Sequence, residues 1–171
     1  MIRTGLPTFL ILCAWALGLF SAPLLADGIR TRVQEADDLR LDARHMVRQR
    51  APMVLEFAAE YCTYCEQIED EVFEPMILSG DYRETIVLRK ISIDGTRLLR
   101  DFSGAIVTRE DFADRYRVSL TPTVLFLDAE GREIAPRMTG VPLIDFYAQY
   151  LDRHIHQARA SIAASPPTQP E

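Results

Sequence analysis

Two cysteines three positions apart, Cys62 and Cys65, are the residues of this chain best suited to covalent chemistry. They follow a short, mostly apolar run, Met53-Val54-Leu55-Glu56-Phe57, and precede a stretch with Ile68, Val72 and Phe73 along one side of a helix. A cysteine at the first turn of a helix meets unpaired backbone N–H groups and the positive end of the helix dipole, both of which favour the thiolate. Such surroundings lower a cysteine pKa from ~8.5 to roughly 3.5–7.5, and the thiolate is the attacking species. Cys65, one turn further on, is expected to be the more buried of the two and within reach of the Cys62 sulfur. The pair therefore reads as an exchange couple in which Cys62 attacks a substrate disulfide and Cys65 resolves the mixed disulfide.

A third cysteine, Cys13, lies in a different setting. Among the first 26 residues Arg3 is the single charge, an apolar run extends from Phe9 to Phe20, and small residues lead to Ala26 before the polar Asp27-Gly28. A basic start, a short apolar stretch and a small residue at the break describe a secretory leader, residues 1–26, cleaved near Ala26. The run is short for a membrane span, and an uncleaved anchor is the alternative reading. Cleavage removes 26 of 171 residues together with Arg3 and Cys13, leaving 145 and moving the net charge from −6 to −7. The exported domain, placed in the periplasm, then keeps only Cys62 and Cys65 in an oxidising compartment. A disulfide between them closes too small a loop to serve as a structural staple. Redox chemistry is the better use.

Other uses of these residues are weaker. Zinc sites take four ligands; His154 and His156 point to different faces of one helix and His45 is isolated, so no metal and no cofactor is expected. The two sulfurs remain candidate soft ligands for Cu(I), with Met53 and Met76 nearby. With 25 Asp and Glu against 19 Lys and Arg, nothing suggests a basic nucleic-acid surface. The acidic residues Glu66, Glu69, Asp70, Glu71 and Glu74 read as a solvated helix face, or as a bias towards basic partners.

The elements that must position the pair are legible from periodicity. Asp27 to Gln49 reads as a helix, with Leu39, Ala43, Met46 and Val47 on its buried side, and Pro52 breaks it. Met53 to Phe57 is a central strand, and Pro75 is expected to end or kink the helix after Cys65 near Glu74. Thr85 to Ile93 is the next strand. Gly95 to Thr108 is a link without a clear period, and Thr108-Arg109-Glu110-Asp111 has capping-box spacing for a helix carrying Phe112, Ala113 and Tyr116. Thr123 to Asp128 and Arg132 to Met138 are strands around the turn Ala129-Glu130-Gly131. A final amphipathic helix carries Leu143, Phe146, Tyr147, Tyr150, Leu151 and Ile155. The domain is placed at residues 27–160, and residues 161–171, ending Ser-Pro-Pro-Thr-Gln-Pro-Glu, read as a disordered tail. The order α-β-α-β-α-β-β-α is that of a single small α/β sandwich, a central mixed sheet with helices on both faces.

Several separate positions together resemble the thioredoxin family over about Pro52 to Ile155. Val54-Leu55-Glu56-Phe57-Ala58-Ala59-Glu60-Tyr61-Cys62-Thr63-Tyr64-Cys65 is similar to the family's strand and active-site segment, with Glu56 where the family places a buried acid. Val87-Leu88-Arg89-Lys90-Ile91-Ser92-Ile93-Asp94 is similar to the following strand, and Lys90 matches the lysine that pairs with that acid. Arg115 to Gly131 resembles the segment carrying the family's cis-proline loop, which makes Pro122 the cis residue, and Gly140 matches the glycine after the last strand. The resemblance implies a thioredoxin fold and a monomeric protein thiol–disulfide oxidoreductase.

On this resemblance each matched residue acquires a role. Glu56, its pKa raised by apolar surroundings, takes the proton from Cys65 during resolution while Lys90 moderates it. Tyr61, Thr121 and Pro122 hold an extended substrate segment as an added strand beside Cys62, and the Gly95–Thr108 link borders the same face. Two features depart from cytosolic thioredoxins: Thr63-Tyr64 between the cysteines instead of Gly-Pro, and that link. With the leader, they make the chain similar to exported thioredoxin-related proteins of bacterial sulfur-oxidation gene clusters. This implies reduction of protein or small-molecule disulfides, with a membrane thiol-transport protein as electron donor. Disulfide oxidation or isomerisation is the alternative direction.

Overall fold

The computed structural model describes residues 32–165. The expected leader with Cys13, the Ala26 cleavage point and the end of the tail lie outside the described residues. β1 (Met53–Ala58) is buried at every position, and so is β5 (Thr123–Leu127). The four-stranded sheet has the order β2-β1-β5-β6, with β2 (Val87–Ser92) parallel to β1. β5 is antiparallel to β1, and β6 (Glu133–Thr139) is antiparallel to β5. The sheet is therefore mixed, as expected. Pro136 is tolerated because β6 is an edge strand with an irregular register.

Alternation along β1 divides the core into two layers. Met53, Leu55 and Phe57 join Leu125 and Leu127 under α1 (Leu39–Gln49) and α4 (Arg109–Arg115), packing on Leu39, Met46 and Phe112. Val54 joins Val124 and Phe126 on the opposite face, covered by Ile68, Val72 and Phe73 and by Tyr147, Leu151 and Ile155 of α5 (Ile144–Ala164). By the same alternation Glu56 belongs to this second face. At the β5–β6 turn Gly131 has φ +79°, and a Cβ there would lie 2.7 Å from the Phe102 ring.

Four expectations are corrected. The helix read over Asp27 to Gln49 begins only at Leu39, where Asp38 caps it by accepting the N–H groups of Arg40 and Leu41 at 3.0 and 3.3 Å. Of the residues before it, the described ones (32–38) are not helical, and they pair along a sheet edge. Glu35 forms a parallel bridge to Lys90, with Ala36 N–H donating to Lys90 C=O at 2.8 Å and Lys90 N–H to Gln34 C=O at 2.9 Å. The open edge of β2 offers these residues a hydrogen-bond ladder that outweighs a modest helix propensity.

The helix after Cys65 does not end near Glu74. α2 (Thr63–Ile68) passes through a π-helical turn (Glu69–Phe73) into α3 (Glu74–Ser79), and Pro75 sits in the first turn of α3. A proline there gives up an N–H bond that the widened turn no longer needs. The Gly95–Thr108 link contains a hairpin of β3 (Leu99–Arg100) and β4 (Ile106–Val107). Strands of two residues leave no periodicity to read. Finally, α5 continues to Ala164, past the boundary placed at residue 160.

α4 starts as its sequence predicts, with the Thr108 hydroxyl accepting the Asp111 N–H at 3.0 Å. Its first residue, Arg109, is only 2% exposed. Its guanidinium donates to Glu35, to the carbonyls of Arg97 (3.0 Å) and Ala36 (3.1 Å), and to Asp37 at 3.4 Å. One buried cation thus joins the inserted link, α4 and the added strand segment. Removing it leaves carbonyls and a carboxylate without their donor, and breaking a buried pair costs about 3–5 kcal/mol. Arg109→Ala is expected to lose that much stability in urea unfolding; a loss below about 1 kcal/mol would show that these contacts do not hold the segment.

Candidate active site

The chain leaves β1 at Ala58 and must reverse within four residues to begin α2. Glu60 N–H donates to the Asp94 carboxylate at 2.7 Å, tying this loop to the loop after β2. Tyr61 then takes a left-handed conformation, φ +61°, and is 90% exposed. A bulky residue in that region is held there by its surroundings. Cys62 follows as the N-cap of α2, and its Sγ accepts the Cys65 N–H at 3.2 Å. Cys62 is half-buried and Cys65 only 2% exposed. The two form a disulfide with their Cα atoms 5.2 Å apart. The cysteine with access to a partner is thus the one whose sulfur receives a backbone N–H.

A cavity of about 530 Å³ opens beside the pair, with Tyr61, Cys62 and Cys65 in its wall. The charged residues there are Glu60, Glu66, Glu69, Asp70 and Asp94 against Arg32 and Lys90. Neither Met53 nor Met76 reaches it. Met53 is in the core against α1 and α4, and Met76 packs on the opposite layer, which removes the methionine support for a copper site. Among the described residues no three His, Cys, Asp or Glu converge as a metal site.

Glu56 has no exposed surface, and neither carboxyl oxygen has a hydrogen-bond partner among the described residues. Its neighbours across the sheet are Lys90 and Val124. Burial raises the Glu56 pKa to about 8, with Glu69 adding to the rise, Lys90 opposing it and Glu35 adding a little. The expected Glu56–Lys90 pair is not formed. Lys90 Nζ instead donates to both carboxylate oxygens of Glu69, at 2.6 and 2.9 Å. Glu69 lies at the cavity wall, where both partners keep some water, whereas an ammonium drawn under the sheet would lose its hydration. Lys90 therefore moderates Glu56 from alongside without bonding to it.

The Thr121–Pro122 peptide bond is cis. Thr123 pairs with Phe57, which sets Thr121 and Pro122 at the end of the sheet where β1 gives way to Cys62. Pro122 is buried and its carbonyl accepts the Gly140 N–H at 2.8 Å, while Thr121 N–H and C=O bond to no backbone group among the described residues. Thr121 and Pro122 are not part of the cavity wall. Of the inserted link only Gly95 reaches that wall; the hairpin turns away and bridges from Arg100 to Asp38. Gly95 is thus where the Gly95–Thr108 link borders this wall.

Three residues here were not singled out individually by sequence reasoning. Glu69 stands four positions after Cys65, one turn along the same helix, and that spacing was the available signal. Asp94 meets Glu60 only through the tertiary fold. Tyr147 read as one apolar position among several, yet its buried hydroxyl has no partner among the described residues, and burial followed by the Glu56 charge raises its pKa.

Glu56 carries a consequence for stability. Its folded pKa, about 8, lies above its ordinary value of 4.5, so between these values the folded protein holds a proton that the unfolded chain has released. The stabilisation is complete below about pH 4.5 and is lost as pH rises through 8, a swing on the order of 5 kcal/mol. Urea unfolding of the oxidised protein from pH 5 to 8.5 should show a falling free energy, and Glu56→Gln should flatten that slope. A parallel slope in the variant would assign the dependence elsewhere.

The match to known proteins agrees with this geometry. The family model described as a thioredoxin-like domain matches residues 39–155. Thioredoxin O2 from Arabidopsis thaliana, in its oxidised state, superposes with TM-score 0.50 at 18% identity, covering 74% of this chain and 96% of that one. Thioredoxin f from spinach chloroplast gives TM-score 0.51 at 17% identity, covering 78% and 98%. At such identities the likeness is one of fold. A search of curated proteins finds no match. On a domain match that spans most of its length, with the Cys62–Cys65 couple in place, the chain belongs to the thioredoxin-like family and is a thiol–disulfide oxidoreductase.

Proposed function

We propose that the protein works as a reductant of protein disulfides in an exported compartment, the periplasm, and is re-reduced by a membrane thiol-transport protein. The observation that carries the direction is the charge around the couple. Among the described residues, five carboxylates against two cations line the cavity at Cys62 and Cys65. Negative charge near a thiol disfavours its thiolate, and a couple whose reduced form is less stabilised is the more reducing. The leader-like first 26 residues support the location, and together with Thr63-Tyr64 and the link they support kinship with the exported sulfur-oxidation subgroup.

The reaction divides between the two sulfurs. The Cys62 thiolate attacks a substrate disulfide, a bond forms from its Sγ to one substrate sulfur, and the other substrate sulfur leaves as a thiolate that takes a proton. Glu56 in its carboxylate form accepts the Cys65 proton. Cys65 then attacks the Cys62 Sγ, closes the internal disulfide and expels the second substrate thiolate. Two electrons pass from the couple to the substrate. On re-reduction the donor thiolate attacks Cys62, and protonated Glu56 returns its proton to the departing Cys65 sulfur. Thr121, with free backbone groups at the same end of the sheet, aligns the substrate as an added strand, and the exposed Tyr61 ring packs against it.

Cys62→Ser is expected to abolish exchange, and Cys65→Ser to accumulate a mixed disulfide with its substrate on non-reducing gels; adducts on the Cys62 variant alone would reverse the two roles. Equilibration against dithiol redox buffers should place the couple nearer about −270 mV than about −120 mV. A potential at the oxidising end would make the protein a disulfide donor. Glu56→Ala should slow the resolving step by about 10²–10⁴-fold without unfolding the protein, and an unchanged rate would leave Glu56 with no part in proton transfer.

A further inference from the structure

Glu56 and Lys90 are direct partners across the β1–β2 ladder, so their side chains leave the sheet side by side on one face. A lysine in that place has two carboxylates to choose from. Among the described residues Glu56 has no exposed surface and no hydrogen-bond partner, while Glu69 receives Lys90 Nζ on both oxygens at 2.6 and 2.9 Å. Glu69 reaches this position from the π-helical turn that follows α2, at the wall of the cavity that also exposes the cysteine pair.

We propose that Glu69 is a positioning residue of this site: by holding Lys90 at the cavity wall it denies Glu56 a direct ion pair, and so decides whether Glu56 carries its proton when the Cys62–Cys65 bond opens and closes. The inference rests on the proton-transfer role given to Glu56 above. Among the described residues the titratable groups facing Glu56 are few. Lys90 comes from β2, Glu69 from the π turn, Glu35 from the added strand segment and Tyr147 from α5. Glu35 is already occupied by the Ser92 hydroxyl at 2.6 Å and by Arg109, and Tyr147 carries no charge while its hydroxyl is protonated. Lys90 is the cation among these groups, and Glu69 holds it. Removing the Glu69 charge acts twice in one direction: a like charge disappears, and Lys90 is released towards Glu56. Both favour ionised Glu56.

The test reads Glu56 itself. In the oxidised full chain, the infrared band of its protonated carboxyl is followed against pH and assigned by its absence in Glu56→Gln. Glu69→Gln keeps the size of a partly exposed side chain and is expected to lower the Glu56 midpoint by about one pH unit or more, a tenfold change in acidity. In a Lys90→Met background the same substitution should move the midpoint much less, because no lysine remains to be released. An unmoved midpoint in Glu69→Gln overturns the proposal. Equal shifts with and without Lys90 also overturn it, since Glu69 would then act only as a neighbouring charge. The turnover of Glu56→Ala is a separate measurement. Normal turnover there would dismiss Glu56 as proton carrier even where the midpoint shifts as expected.

Discussion

A strand with no exposed residue gives water no side from which to reach a charge, and β1 is such a strand. Four of its six side chains, Met53, Val54, Leu55 and Phe57, pack into one layer or the other, Ala58 ends it at the cavity wall, and the remaining one is Glu56. Everything at the active end follows from that arrangement. β1 delivers the chain to Cys62 from the middle of the sheet, with β5 bringing Thr121 and Pro122 up on one side and β2 bringing Lys90 and Asp94 on the other. A carboxyl on the same strand inherits the dryness that makes the strand central. Its protonation is then governed by a handful of neighbours and not by solvent.

The edge of the sheet beyond β2 is completed by chain that has little apolar surface of its own. Residues 34–36 gain their place through backbone bonds to Lys90 and through Arg109, which is almost wholly enclosed and donates from all three of its guanidinium nitrogens. Burying an arginine is costly unless each N–H finds an acceptor. Here the acceptors are supplied by two segments far apart in sequence, so the cation fixes where they lie relative to each other. The same Glu35 that receives Arg109 also receives Ser92, a residue of the cavity wall, so the edge and the active end share one hydrogen-bond chain.

What the sequence disclosed and what it withheld separate along physical lines. The Cys62–Cys65 spacing, the buried run of β1 and the Thr108 cap are local patterns, and each appears where its pattern placed it. The mixed sheet followed from the order of periodic segments. Residues 33–38 did not read correctly because a sheet edge competed with helix propensity, and that edge exists only after folding. The hairpin at Leu99–Val107 was invisible because its strands are too short to show a period. The partner of Lys90 is the subtlest case. The family resemblance set it beside Glu56, where the strand register places it, but the choice between two carboxylates turns on hydration at a cavity that no window of sequence contains.

The π turn at Glu69–Phe73 has a bearing on how this helix tolerates change in length. An α-helix advances its side chains by about 100° per residue, and a π turn holds one more residue in nearly the same span. Deleting a single residue from the turn would let ordinary helical geometry return. Winding the same residues as ordinary α-helix, with none deleted, would instead rotate everything downstream by about 100°, carrying Met76 and Ile77 away from the core layer they now pack against. The wide turn absorbs the phase of its extra residue: the first half of the helix aims its cysteines at the sheet's end while the second half keeps its apolar side on the sheet.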